Sequence, residues 1–190
     1  LIIGYDHRFG KGRSADIHDL IAFGKKYHFE VEQISAEEIN HVSISSTKIR
    51  NALQVGNISL ANEYLGYSYY LTGKVVYGKQ LGRTIGYPTA NIQVSESYKL
   101  IPAIGVYASF IIIDGVKYFG MLSIGNNPTI GNNPVTIEIN IFNFNQDIYN
   151  KEVTVGFISK IRDQIKFNSL EELKQALAQD QIETQKIINK

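Results

Sequence analysis

The residues best suited to chemistry fall in one stretch, Leu71 to Asn91, which reads LTGKVVYGKQLGRTIGYPTAN. Gly78, Gly82 and Gly86 recur along it, with Lys79 and Arg83 between them. Glycine lacks a Cβ and tolerates positive φ, so such a loop can approach a polyanion closely. Backbone N–H groups and nearby cations then hold phosphate. The pattern G-x-x-x-x-G-K-[ST] is absent, so this is not a Walker A loop. Taken alone, the stretch reads equally well as a plain turn. Thr89 and Asn91 shift that balance. In extended chain, residues two apart face the same way, which points a hydroxyl and a carboxamide together. Both offer neutral oxygen to a hard cation such as Mg²⁺, whose other ligands are water and phosphate oxygen.

Other polar groups stand at informative places. Glu138 lies in Val135–Ile141, VTIEINI, where apolar and polar residues alternate. It therefore shares a strand face with Thr136 and Asn140, a face that by pattern alone is simply solvated. Ser45, Ser46, Thr47 and Arg50 open a predicted helix. Hydroxyls and cations at a helix N-terminus make an anion site, or only a capped helix with Ser45 or Ser46 as the cap. Asp6 ends an apolar run and precedes a basic loop, His7 to Arg13. Arg162 and Gln164 lie in a basic segment, IRDQIKF, ahead of a C-terminal helix. Asn126-Asn127-Pro128 is good turn chemistry. The four histidines show no metal-ligand spacing and read as surface or helix residues.

The elements that must position these groups follow from period and punctuation. Residues 1–6 read as a strand, 16–27 as a helix with Ile17, Leu20, Ile21 and Gly24 on one side, and 29–34 as a second strand. Strand, loop, helix and strand in that order suggest a parallel α/β unit, whose ligands collect beyond the carboxyl ends of the strands. Leu1 to Asp6 reads like the middle of a buried strand, so further sequence upstream is expected. A helix follows Ser46, with Ile49 and Leu53 on one face and Gly56 as its stop. A second spans 59–65, capped by Ser59 and ended by Gly66. The period then turns strand-like, which places a domain boundary near 66. Strands are expected at 69–77, 104–113, 116–124, 135–142 and 152–158. Asp114-Gly115 between two apolar runs is a hairpin signal, and several short strands with tight turns suggest a small closed barrel. Ser169-Leu170-Glu171-Glu172 reads as a capping box opening a helix with Leu170, Leu173 and Leu177 toward the barrel.

Bulk composition removes several function classes. The chain has 190 residues, 44% of them hydrophobic, enough for one good-sized domain or two small ones. A formal net charge of +1 gives no global field to favour nucleic acid or membrane. With no cysteine there is no disulfide and no thiolate chemistry, which fits a cytoplasmic protein. No apolar run is long enough to span a bilayer as a helix.

The run GKQLGRTIGYPTAN closely resembles the ATP-binding segment of riboflavin kinases. The resemblance implies that Thr89 and Asn91 bind Mg-ATP, with Gly78, Lys79, Gly82, Arg83 and Gly86 forming the nucleotide loop. It makes Glu138 the base that accepts the proton of the substrate hydroxyl, a task suited to a carboxylate. It puts Arg162 and Gln164 on the flavin side, and the Ser123–Thr129 loop near the nucleotide. ISSTKIR resembles the second phosphate motif of the nucleotidyltransferase superfamily, and GYDHRFGKGR the flavin-side loop of bacterial FAD synthetases. These make Asp6, Ser45, Ser46, Thr47 and Arg50 the remnant of an adenylyltransferase site. That family's first motif, H-x-G-H, occurs nowhere in the sequence.

The expected architecture is therefore a partial α/β adenylyltransferase domain, residues 1–65, followed by an antiparallel Greek-key barrel with a C-terminal helix, residues 67–190. The expected substrates are riboflavin and ATP, with Mg²⁺, FMN as product, and no nucleic-acid or membrane partner. FAD synthesis is expected only of a full-length protein. Two rivals remain. One is a flavin- or nucleotide-binding module without turnover. The other is an OB-type nucleic-acid-binding barrel, which would need a basic, aromatic-lined face.

Overall fold

The computed structural model describes residues 1–4, 7–34, 38–39, 42–78, 80–126 and 135–189. Two compact units divide at Ser45/Ser46. In the first, β1 (Ile2–Gly4) pairs in parallel with β2 (Glu32–Ile34), joined through α1 (Ile17–Tyr27). Asp16 caps α1 reciprocally with Asp19 and takes the His18 N–H at 2.8 Å. The expected inner face of that helix is only partly inward: Gly24 is buried but Ile21 is 42% exposed. A short antiparallel pair, β3 (Glu38–Ile39) and β4 (Val42–Ser43), closes the unit.

The second unit opens with α2 (Ser46–Gln54) and α3 (Ile58–Leu65). Ala52, Leu53, Ile58 and Ala61 belong to the same buried cluster as the strands that follow. That shared burial is why compactness divides the chain before α2, twenty residues ahead of the change in period. Asn57, not Ser59, caps α3: its Oδ1 accepts from the Leu60 N–H at 3.2 Å. Gly66 closes the helix.

Six strands then form a closed barrel: β5 (Tyr70–Val76), β6 (Ala90–Val94), β7 (Gly105–Ile113), β8 (Val116–Asn126), β9 (Val135–Ile141) and β10 (Glu152–Arg162), in the order β10-β5-β6-β9-β8-β7. All neighbours are antiparallel. The β7–β8–β9 meander returns to lie beside β6, the Greek-key arrangement. Asp114 (φ 50°) and Gly115 (φ 81°) both take positive φ, as a two-residue type I′ hairpin requires. β6 was not among the strands expected from the sequence. Its alternation is short, and α4 (Leu81–Thr84) interrupts the run before it.

Leu71, Tyr107, Ile111, Leu122, Ile124, Ile139, Val155 and Phe157 fill the barrel with 0% exposure each. Tyr107 and Phe157 meet edge to face at 5.4 Å. Helix α5 (Leu170–Ile188) packs on β7, β8 and β10. Ser169 caps it, accepting the Glu172 N–H at 3.1 Å, while Glu172 reaches back to the N–H of Asn168. Leu170 is 58% exposed, contrary to the expected face. The residues α5 buries are polar, Asp180 and Thr184.

Candidate active site

Alternation on β9 decides the site. Ile137 and Ile139 point into the barrel at 3% and 0% exposure. Thr136, Glu138 and Asn140 therefore stand on the outer face. β6 lies alongside, with Ala90 opposite Ile139 and Asn91 opposite Glu138. Asn91 and Glu138 consequently share that outer face. Just before the ladder, the Thr89 hydroxyl donates to Glu138 Oε2 at 3.0 Å. Three residues distant in sequence are thus gathered on one face: a hydroxyl, a carboxamide and a carboxylate.

The glycine loop wraps the other side of β6. A Cβ built on Gly78 would lie 2.2 Å from Asn91 Nδ2, so glycine there leaves room for the Asn91 side chain. At Gly82 a Cβ would lie 2.2 Å from the Tyr87 carbonyl oxygen, whose own N–H donates to Gly82 O at 2.8 Å. Gly86 takes φ 89°. Arg83 is exposed and, with Pro88 and Thr89, lines a cavity of about 300 Å³. Val75, Ala90, Ile139 and Ile141 also line it, from the face of the strands opposite Asn91 and Glu138, together with the Phe144–Tyr149 segment. Tyr149 stacks on Tyr77 at 3.9 Å between ring centres, and Gln80 Nε2 donates to the Tyr149 hydroxyl at 3.4 Å. Sequence reasoning did not single out this aromatic wall, because it lies in irregular chain with no period to mark it.

One register row crosses the barrel through the expected residues. Asn91 faces Glu138, Glu138 faces Ser123, Ser123 faces Val106, and Val106 faces Arg162. Three strand spacings separate Glu138 from Arg162, roughly 14 Å measured around the sheet. Arg162 is not at the Thr89 cavity. Its guanidinium forks onto Asp180 of α5 through Nε at 2.8 Å and Nη2 at 2.7 Å, and Nη1 donates to Asp163 O at 3.0 Å. Gln164 lies near Gly125, where a Cβ would be 3.3 Å from Gln164 Nε2. Asp163 itself is held below the usual carboxylate range by its hydrogen bond from Lys160.

In the first unit, Arg8, Lys11 and Arg13 are exposed around a short 3₁₀ turn. Ser46, Thr47 and Arg50 lie in the opening turns of α2, directly after Ser45. Asp6, Lys79 and the loop 127–134, including Asn127, Pro128 and Thr129, lie outside the described residues. Among the described residues no group of three or more His, Asp and Glu forms a metal cluster.

Comparison with known proteins gives a consistent result. The riboflavin kinase family model matches residues 65–188, and the FAD synthetase model matches residues 1–48. The bifunctional riboflavin kinase/FMN adenylyltransferase of Listeria monocytogenes is 38% identical over 185 residues, 97% of this chain and 58% of that protein. Its counterpart in Buchnera aphidicola is 39% identical over 192 residues, 100% of this chain and 61% of that protein. A Streptococcus pneumoniae crystal structure described as a macrolide-efflux protein aligns with a TM-score of 0.87 at 39% identity, covering 97% of this chain and 60% of that one. The chain therefore spans about three-fifths of the length of these relatives. Among the described residues no helix is long and apolar enough to cross a membrane.

Proposed function

Because the chain belongs to the riboflavin kinase family, we propose that it transfers the γ-phosphate of ATP to the 5′-hydroxyl of riboflavin, giving FMN and ADP. The observation that carries this reading is the Thr89–Glu138 hydrogen bond at 3.0 Å. It joins the Pro-Thr-Ala-Asn turn to the carboxylate of the outer β9 face. Phosphoryl transfer leaves little covalent work to the protein; positioning and charge neutralisation dominate. Glu138 accepts the proton of the attacking hydroxyl. Thr89 holds one of its oxygens, Oε2, which orients the other toward the substrate.

Thr89 and Asn91 hold Mg-ATP. Their neutral oxygens form a hard donor pair that fits Mg²⁺, with water and phosphate oxygen as its other ligands. The ion would supply charge neutralisation at the β- and γ-phosphates. The backbone around Gly78, Gly82 and Gly86, with Lys79 and Arg83, receives the triphosphate. Riboflavin lies on the side of Arg162 and Gln164. Arg162, on the flavin side, also fixes β10 to α5 through Asp180. The kinase domain is taken as 67–190, with α2 and α3 as its packing support. Adenylyl transfer belongs to a longer protein of the bifunctional kind, to which Asp6, Ser45, Ser46, Thr47 and Arg50 would contribute. A cytoplasmic location, where ATP is available, suits this chemistry.

Glu138→Gln tests the assignment. It keeps shape and hydrogen bonding but removes the proton acceptor. Turnover should fall by about 10²–10⁴-fold, with Mg-ATP affinity within about threefold of wild type. Full turnover in the variant would remove Glu138 from the role of base.

A further inference from the structure

We infer that Asn140 is a positioning residue for the nucleotide side of the site, holding the Pro88–Thr89 turn where Thr89 must work; this rests on the kinase reading above. The β6–β9 ladder contains two Cα pairs and stops at Ala90. Pro88 has no N–H and cannot donate to an extension of it. Its exposed carbonyl is free to take a side-chain donor. Asn140 supplies one: Nδ2 donates to Pro88 O at 2.7 Å. Asn140 is two residues beyond Glu138 on the same outer face of β9. The strand that carries the carboxylate therefore also carries a clamp on the turn facing it.

The clamp differs in kind from the Thr89–Glu138 bond. That bond joins two groups that must both meet ligands, so it is exposed to competition when substrate enters. The Asn140 bond reaches main chain and engages no atom the reaction uses. On the other side of the turn, the Tyr87 N–H is fixed to Gly82 O at 2.8 Å. Thr89 is thus bracketed: Tyr87 is tied to the glycine loop, Pro88 to Asn140, and Ala90 to the ladder. Removing the Asn140 donor frees the middle of that bracket.

The test uses the full chain with Asn140→Ala, Asn140→Leu and Asn140→His. Leucine keeps the approximate shape without a donor. Histidine presents a ring nitrogen, Nδ1, bonded to Cγ as the asparagine Nδ2 is, and so can restore the bond. Mg-ATP affinity is measured by calorimetry without riboflavin, alongside KM for each substrate. Alanine and leucine should weaken Mg-ATP about tenfold, the worth of one hydrogen bond, and leave KM for riboflavin within about twofold. Histidine should recover most of the loss. Wild-type Mg-ATP affinity in the alanine and leucine variants would overturn the inference. So would an equal loss for both substrates in all three variants, which marks a general structural role. A wild-type chain that makes no FMN would instead refute the kinase reading itself.

Discussion

Gly78 is where a single methyl group would do most damage to the proposed site. A Cβ there would lie 2.2 Å from Asn91 Nδ2 and 2.5 Å from its Cγ. Asn91 must then move, and with it one of the oxygens assigned to Mg-ATP. Gly78→Ala should therefore weaken Mg-ATP by about tenfold or more while leaving thermal stability nearly unchanged, since Asn91 stands on the outer face. Calorimetry and a melting curve on one sample check both parts; unaltered affinity would mean that the contact is not functional. At this scale the sequence was informative in a specific way. The period of two put Thr89 with Asn91, and Glu138 with Asn140, before any coordinates. The bonds Thr89–Glu138 and Asn140–Pro88 were not legible, because each crosses between strands about fifty residues apart.

At the scale of elements, α5 is tied to β10 by a buried polar contact. Asp180 is 2% exposed and takes both arms of Arg162. Removing one partner of a buried pair strands the other charge. Asp180→Ala should cost about 3 kcal/mol, read as a lower denaturant midpoint, and loosen α5 in hydrogen exchange. A change under about 0.5 kcal/mol would show the pair to be incidental. The sequence announced the helix through its Ser169 cap; Leu173 and Leu177 are half-buried. It misplaced Leu170 because a helix's first turn can lie beyond the surface it packs on. It did not pair Arg162 with Asp180, because a basic loop carries no sign that a partner lies 18 residues later. β6 was similarly hidden, since a five-residue strand behind a glycine loop gives too little alternation to detect.

For the whole molecule, the barrel core contains one titratable group with a clear consequence. Tyr107 is fully buried, its hydroxyl donates to Ala103 O, and burial, aided by the Asp163 carboxylate, pushes its pKa up to about 12. The folded pKa thus exceeds the unfolded value of about 10. The folded state then holds its proton more tightly, so this contribution is fully present below pH 10 and lost as pH rises through 12. About two units correspond to roughly 2–3 kcal/mol. Stability measured by guanidinium unfolding should fall between pH 10 and 12, and Tyr107→Phe should show a shallower decline. An equal slope in both proteins would mean that other groups dominate alkaline unfolding. The closed barrel as a class was legible from turn signals and short strands. The division of the chain at Ser45/Ser46 was not, because packing of α2 and α3 on the barrel leaves no mark in local period.

The most direct test of the account is product analysis after incubating the 190-residue chain with riboflavin and Mg-ATP. FMN is the expected product, since Thr89, Asn91 and Glu138 are gathered on one face. Riboflavin returned unchanged, whether free or bound, would contradict it.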